Sequence, residues 1–346
     1  MYKISMILPI FNVEHDLNNA MNSLIKQTIG FENIEVILVD DCSTDNTPNI
    51  IKHYSNKYKN VKPIFLKTNG GNAGRPRNIG IQNASSPYLM FMDPDDEYAL
   101  NACEIFFKEI IKNNVDFVHS NWTVDTYGHL SLTSHPFIKE NTFFEFENNE
   151  NIKNYHKYYR TEMCAAIYNK NFILKNNIKC TNELGEDAYF ALLALFKSKK
   201  VIFLADYYGY YNKLRDTKNN ISVTNIRDAK KMNSRIKSIY YLLNLITNFP
   251  IENNYTLINQ ELNTLLNQFY TLDPKISYEE KNELLTKIFN LERNFKNHIN
   301  LNIFHYFLNY FIIQKHFKIA ILFSNIIGTL YSNIYVRKFF RKIINR

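Results

Sequence analysis

Three aspartates, Asp93, Asp95 and Asp96, close the apolar run "YLMFMDPDDEYAL" at residues 88–100. Carboxylates held this near to one another repel, so something must neutralise them. A hard divalent cation with oxygen ligands would do so, and Mg²⁺ or Mn²⁺ would also bridge substrate phosphates. The competing assignment is a helix start, with Asp95 or Asp96 accepting from the orphan N–H groups of a helix over 99–113. An EF-hand is excluded, because the DxDxDG spacing and its distal Glu are absent.

Four further stretches carry groups able to do chemistry. "VDDCSTD" (39–45) ends a buried run in two carboxylates, one of which would serve a nucleobase or ribose; a capped turn explains it equally. In "TNGGNAGRPRNIG" (68–80), Gly70, Gly71 and Gly74 permit close backbone approach. Arg75 and Arg77 follow at a helix start, where anions bind, although the loop lacks the GK[ST] of a P-loop and also reads as a flexible surface turn. "GEDAYF" (185–190) offers Asp187 as a general base or as an ordinary acidic first turn. "YYGYYNKLRD" (207–216) offers Arg215 to a leaving phosphate, with tyrosines as a stacking wall, or else a packed strand with a solvated arginine. The nine histidines form neither HxxxH nor HExxH, and the four cysteines include no CxxC pair, so a metal cluster of that kind is not expected.

The elements that must position these groups alternate in period. "ISMILPI" (4–10), "IEVILVD" (34–40), "VKPIFLK" (61–67), "PYLMFMD" (87–93) and "VDFVHS" (115–120) read as buried strands. Helical stretches fall between them at about 15–29, 46–60, 75–84 and 99–113, the second capped by Thr44 or Asp45. Such alternation implies an α/β fold with a mostly parallel sheet flanked by helices. Ligands then bind outside the carboxyl ends of the strands, so Phe11–Asn12, Asp40–Asp41 and Asp93–Asp96 would share one rim. Residues 120–180 are irregular. Residues 183–197 read as an amphipathic helix, and 201–216 as a strand running into an aromatic and basic loop. From about 225 the pattern is helical.

In order, "ILPIFN", "VILVDDCSTDNT", the Gly/Arg loop, "FMDPDD" and "GED" resemble the motifs of family-2 glycosyltransferases with the GT-A fold. Within them, "NGGNAGRPRN" followed by "ELGEDAYF" resembles wall-teichoic-acid N-acetylglucosaminyltransferases of the TarS and TarP type, a likeness covering about the first two-thirds of the chain. The resemblance implies a UDP-sugar donor. Pro9 and Phe11 would line the uracil, Asp41 would accept from its N3–H, and Asn69 and Arg77 would contact the nucleotide. Asp93 would lie near ribose and sugar, Asp95 would hold Mn²⁺ or Mg²⁺ on the diphosphate, and Arg215 would stand near diphosphate or acceptor. Asp187 would be the base of an inverting transfer, with UDP-GlcNAc the favoured donor and a teichoic acid the favoured acceptor. The alternatives are a capsular or lipid-linked oligosaccharide transferase using another UDP-sugar, and a silent sugar-nucleotide-binding scaffold. The expected organisation is a catalytic domain over 1–224, its nucleotide-sugar half ending near 120, and a helical region over 225–346.

Composition narrows the remaining classes. The 346 residues are 45% hydrophobic and 21% charged, as in globular proteins. Net charge is +8, but residues 301–346 hold seven Lys or Arg and no Asp or Glu, so the remainder carries 34 basic against 33 acidic groups. The basic end "YVRKFFRKIINR" interleaves cations with Phe and Ile. It suits an anionic membrane surface, an anionic glycopolymer, an oligomer contact or simply a solvated helix end. No apolar run reaches the ~18 residues a spanning helix needs, and no nucleic-acid module is present. The first apolar run is too short for a signal peptide. With free thiols also expected, a cytoplasmic protein is the expectation, and the basic end adds the expectation of a peripheral place on the inner face of the plasma membrane.

Overall fold

The computed structural model describes residues 1–213, 228–248 and 276–295, apart from 127–128, 136, 148, 154 and 159–161, together with Leu265 and Phe269. The chain divides into two compact units, Met1–Ser222 and Val223–Arg346.

In the first unit β1 (Ile4–Ile10), β2 (Ile34–Asp40), β3 (Val61–Phe65) and β4 (Tyr88–Phe91) alternate with α1 (Leu17–Ile25), α2 (Thr47–Lys57) and α3 (Gly74–Asn83). Then come β5 (Glu97–Tyr98), α4 (Ala102–Asn113), β6 (Phe117–Thr126), β7 (His129–Thr133), β8 (Thr142–Glu145), α5 (Glu150–Lys153), α6 (Tyr155–Tyr158), β9 (Ala166–Asn169), α7 (Lys170–Lys175), α8 (Glu186–Lys197) and β10 (Lys200–Lys213). The strands form one sheet in the order β3-β2-β1-β4-β9-β6-β10-β5, with β7 beside β6 and β8 beside β10.

From β3 to β4 the sheet is parallel, and β1 and β2 are buried along their whole length, which is why both read as mainly apolar runs, interrupted only by Ser5 in β1 and by Glu35 and Asp40 in β2. Beyond β4 the sheet is mixed. β9 runs antiparallel to both β4 and β6, while β10 is parallel to β6. The order reverses at β1, with β2 on one side and β4 on the other. That switch point is where an open α/β sheet leaves a crevice at its carboxyl ends.

α1, α2 and α4 fall inside the expected spans, and α3 starts one residue earlier, at Gly74. The N-cap of α2 is Asn46, with no side-chain cap bond, and not Thr44 or Asp45 as expected; Asp45 Oδ1 nevertheless accepts from Thr47 N–H, the first residue of the helix, at 3.0 Å. Two further expectations change. β6 runs on to Thr126, because its second half pairs with β7 in a hairpin. "YYGYYN" is strand and not loop: β10 shifts register on β6 after Leu204 and again after Tyr208, and on its other edge Tyr210 and Tyr211 pair with β5.

In the second unit α9 (Ala229–Thr247) is capped by Asp228, which accepts from Lys231 N–H at 2.7 Å. It packs against α10 (Tyr278–Phe295), and Lys287 Nζ reaches Asn233 Oδ1 at 3.0 Å between them. Among the described residues no helix is long and apolar enough to cross a membrane. The basic end lies outside the described residues.

Candidate active site

The carboxyl ends of β1 and β2 bring together the first group of expected residues. Pro9 is buried in β1 opposite Val39, whereas Phe11, one residue past the strand, is 41% exposed. Asn12 turns the chain in the left-handed region (φ 48°), and its Oδ1 accepts from Thr44 N–H at 2.8 Å. The paired aspartates after β2 divide their work. Asp40 is buried and accepts from Ser43 N–H at 3.3 Å; burial outweighs that bond and pushes its carboxyl above the usual range.

Asp41 is also buried, at 3% exposed, but faces a different set of groups. Its Oδ2 accepts from Gly70 N–H at 2.7 Å, and Asn69 Nδ2 donates to its carbonyl at 3.1 Å. Its Oδ1 is buried and accepts no hydrogen bond among the described residues; Arg75 Nη1 stands 4.0 Å from it. A buried acceptor with spare capacity is the kind of group that a ligand N–H satisfies.

The Gly/Arg loop is fixed to the segment before α8. Asn78 and Cys180 exchange two hydrogen bonds of 2.9 Å, side-chain amide to carbonyl and backbone N–H to amide oxygen. Asn72 Nδ2 donates to Asn182 O at 2.5 Å. Gly74 is required here: a Cβ at that position would lie 1.9 Å from the Thr181 carbonyl oxygen.

Arg77, expected against the nucleotide, is only 3% exposed and gives its two terminal nitrogens to protein carboxylates. Nη2 donates to Asp93 Oδ1 at 2.6 Å and Nη1 to Glu186 Oε1 at 2.5 Å. Burial opposes its charge, yet Asp93 and Glu186 hold it well above the ordinary arginine value. One guanidinium thus joins the "DPDD" turn to the "GED" turn, 109 residues apart along the chain for the Glu186 bond. A planar fork suits that bridge, where an ammonium would not.

The three aspartates of the turn are not equivalent. Asp93 and Asp95 are half-buried, while Asp96 is 2% exposed. Asp96 does not cap α4, whose N-cap is Asn101 with no side-chain cap bond. It turns instead to β10, accepting from Tyr210 O–H at 2.5 Å and from Lys213 N–H at 2.7 Å. Burial, then the charges of Asp95 and Asp93, push its carboxyl well above the usual range against those donors. The helix-start assignment for Asp96 is therefore replaced by a cross-strand one.

Gly185 takes φ 89° and α8 starts at Glu186. Asp187, the expected base, is half-buried, and its Oδ1 is approached by Ala188 N–H at 2.8 Å. Glu186 is pushed up to about 6 by burial, Arg77 pulling against this and Asp187 adding to it. Arg215 lies outside the described residues. Sequence reasoning missed Glu186 and Tyr210 and gave Asp96 a different role. No signal in the sequence pointed to these pairings, because the burial of Arg77 and the course of β10 are set by the fold.

Among the described residues, no three His, Cys, Asp or Glu side chains gather into a metal site. Asp93 and Asp95 provide oxygen donors only. A small divalent cation bound through one or two carboxylates, its shell completed by phosphate oxygens and water, fits such a set.

The family model for glycosyl transferase family 2 matches residues 5–173. A poly(ribitol-phosphate) beta-glucosyltransferase of Bacillus spizizenii is 30% identical over 216 residues, 62% of this chain and 33% of that protein. TarP, a poly(ribitol-phosphate) beta-N-acetylglucosaminyltransferase of Staphylococcus aureus, is 31% identical over 249 residues, 69% of this chain and 73% of that protein. The chain spans about a third of the length of the Bacillus relative and of TarS from S. aureus (33% and 36%). The crystal structure of S. aureus TarS 1–349 in complex with UDP-GlcNAc superposes with a TM-score of 0.66 at 22% identity, covering 94% of this chain and 90% of that one. That likeness shows a shared GT-A fold.

Proposed function

The chain belongs to glycosyl transferase family 2, and from that premise we propose that it transfers a sugar from a UDP-sugar to a hydroxyl of a cell-surface polymer such as a teichoic acid. The observation that carries the proposal is the Arg77 bridge, which puts a donor-side carboxylate, Asp93, and the acidic turn holding Asp187 on one side chain.

The residues divide the work as follows. Phe11 and Pro9 provide an apolar wall for the uracil, and the spare Oδ1 of Asp41 accepts its N3–H. Asn69 holds the loop that closes over Asp41. Asp93 lies near ribose and sugar, oriented by Arg77, which acts on the nucleotide through that carboxylate. Asp95, with Asp93, would hold Mn²⁺ or Mg²⁺, and a cation so bound supplies Lewis-acid stabilisation of the departing diphosphate.

Asp187 takes the proton of the attacking hydroxyl. As the acceptor oxygen bonds to the anomeric carbon, the bond from that carbon to the diphosphate oxygen breaks and UDP leaves with the electron pair. One base and in-line attack invert the centre, so an α-linked donor gives a β-linked product. The relatives above are named for glucosyl and for N-acetylglucosaminyl transfer. UDP-GlcNAc remains the favoured donor, and UDP-glucose is the competitor to screen beside it.

The test is UDP release from a panel of UDP-sugars, with purified teichoic acid or a neutral glycan as acceptor and with or without Mn²⁺. Release that requires a UDP-sugar and a ribitol-phosphate polymer supports the reading. UDP affinity without release across all donors would instead favour a silent binding scaffold.

A further inference from the structure

The third aspartate of the turn has no place in the chemistry above, yet it is the most deeply buried of the three. Both its oxygens are engaged by β10. Tyr210 donates its O–H to Oδ2 at 2.5 Å, Asn212 Nδ2 approaches the same oxygen at 3.4 Å, and Lys213 N–H donates to Oδ1 at 2.7 Å. With its lone pairs so committed, Asp96 is unsuited to ligating a cation directly.

Tyr210 also reaches the other end of the turn. Its phenol oxygen accepts from Asp93 N–H at 3.4 Å, while the turn closes on itself through Asp96 N–H to Asp93 O at 3.0 Å. The tyrosine is itself held: it is 2% exposed, its ring meets Tyr98 edge-on at 5.0 Å, and its backbone pairs with Tyr98 of β5. The connection continues along the strand. Ala99 N–H donates to Gly209 O at 2.9 Å, and Lys213 Nζ pairs with Glu97. The turn that carries Asp93 and Asp95 is thus tied to β10 at Asp93 and from Asp96 through Ala99, and one phenol spans its two ends.

We propose that Asp96 and Tyr210 are positioning residues, a clasp that lets β10 set the pitch of Asp93 and Asp95 toward a cation-bound diphosphate. The proposal rests on reading this turn as the cation–diphosphate site. It assigns the third carboxylate of "DPDD" to the scaffold and the first and second to the ligand. Because a buried hydrogen bond is worth up to about a tenfold change in an equilibrium, losing the phenol O–H has a measurable cost.

The experiment is calorimetric titration of the full chain with UDP, in the presence and absence of Mn²⁺. Wild type, Tyr210→Phe, Asp96→Asn and the double variant are compared, each with its melting temperature. Tyr210→Phe keeps the ring and removes only the hydroxyl. It is expected to bind UDP as wild type does without Mn²⁺ and to lose about tenfold in affinity with it. Asp96→Asn should show the same Mn²⁺-selective loss, and the double variant should lose no more than the worse single one, as for two members of one clasp. Equal losses with and without Mn²⁺ would mark general damage and overturn the proposal, as would wild-type affinities in both. Should Tyr210→Phe not fold, Asp96→Asn carries the same comparison. If wild type itself gains nothing from Mn²⁺, the reading of the turn falls, and the clasp's role falls with it.

Discussion

Arg77 donates from Nη2 to Asp93 at 2.6 Å and from Nη1 to Glu186 at 2.5 Å, so one buried guanidinium sets the distance between the donor-side turn and the acidic turn of α8. Arg77→Lys keeps the charge but replaces a fork with a point, which cannot serve both carboxylates in line. It is expected to lower kcat by about 10²-fold through misplacement. Arg77→Ala should cost stability of order 3 kcal/mol, chiefly through Glu186, since Asp93 is 35% exposed and solvent screens that arm. Steady-state kinetics with thermal melts distinguishes the two effects; a Lys variant with wild-type kcat would remove Arg77 from the account.

Asp187→Asn keeps the shape of the side chain and one acceptor oxygen while removing the charge and the base. Turnover should fall by at least 10²-fold, with UDP affinity kept within a factor of two or so. Turnover that survives the change shows that the base is another residue.

Glu186 is held at about 6, above its ordinary 4.5. The folded state therefore binds this proton more tightly than the unfolded chain. The stabilisation from that proton is complete below about 4.5 and is lost as pH rises through about 6. Relative to Glu186→Gln, wild type should lose roughly 2 kcal/mol between those limits. Denaturant midpoints for the pair at several pH values test this, and a flat difference contradicts the environment assigned to Glu186.

Two glycines of one loop should respond differently. A Cβ on Gly74 would sit 1.9 Å from the Thr181 carbonyl oxygen, which is backbone and cannot rotate away. Gly74→Ala is thus expected to cost about 1–3 kcal/mol and to loosen the loop from residues 180–182. Gly71 has open space, with Asn69 Oδ1 at 4.0 Å, and only its φ of 82° to object. Gly71→Ala should cost about 1 kcal/mol, and equal costs at both positions would show that the close approach is not real.

Of the four thiols, Cys103, Cys164 and Cys180 are buried, and burial pushes each of them up; Cys42 is partly exposed and follows Asp41 directly. Native protein should take up one equivalent of maleimide at Cys42, and denatured protein four. Bound UDP should slow the labelling of Cys42. Labelling unaffected by saturating UDP would place the nucleotide away from Asp41.

Much of this was legible beforehand where one residue type has one use. Mainly apolar runs marked out β1 and β2 to the residue, since a strand buried on both faces shows little polar alternation. The rim carrying Asp41, Asp93 and Asp95 followed from strand ends alone. What stayed hidden depends on pairing across long separations. Nothing in "YYGYYN" announces two register shifts or that Tyr210 will bind Asp96 from 114 residues away. Likewise, Arg77 reads as an anion-binding residue until the fold buries it with Glu186 and supplies half-buried Asp93 as its second partner.

The central claim is that the rim carboxylates hold a cation on the diphosphate of a UDP-sugar. Crystals grown with UDP and Mn²⁺, examined by anomalous diffraction at the manganese edge, test it directly. The account predicts one manganese peak bonded to Asp95 and to diphosphate oxygens, with uracil N3–H on Asp41. Manganese and nucleotide found together at another surface, with Asp95 bound to neither, would contradict it.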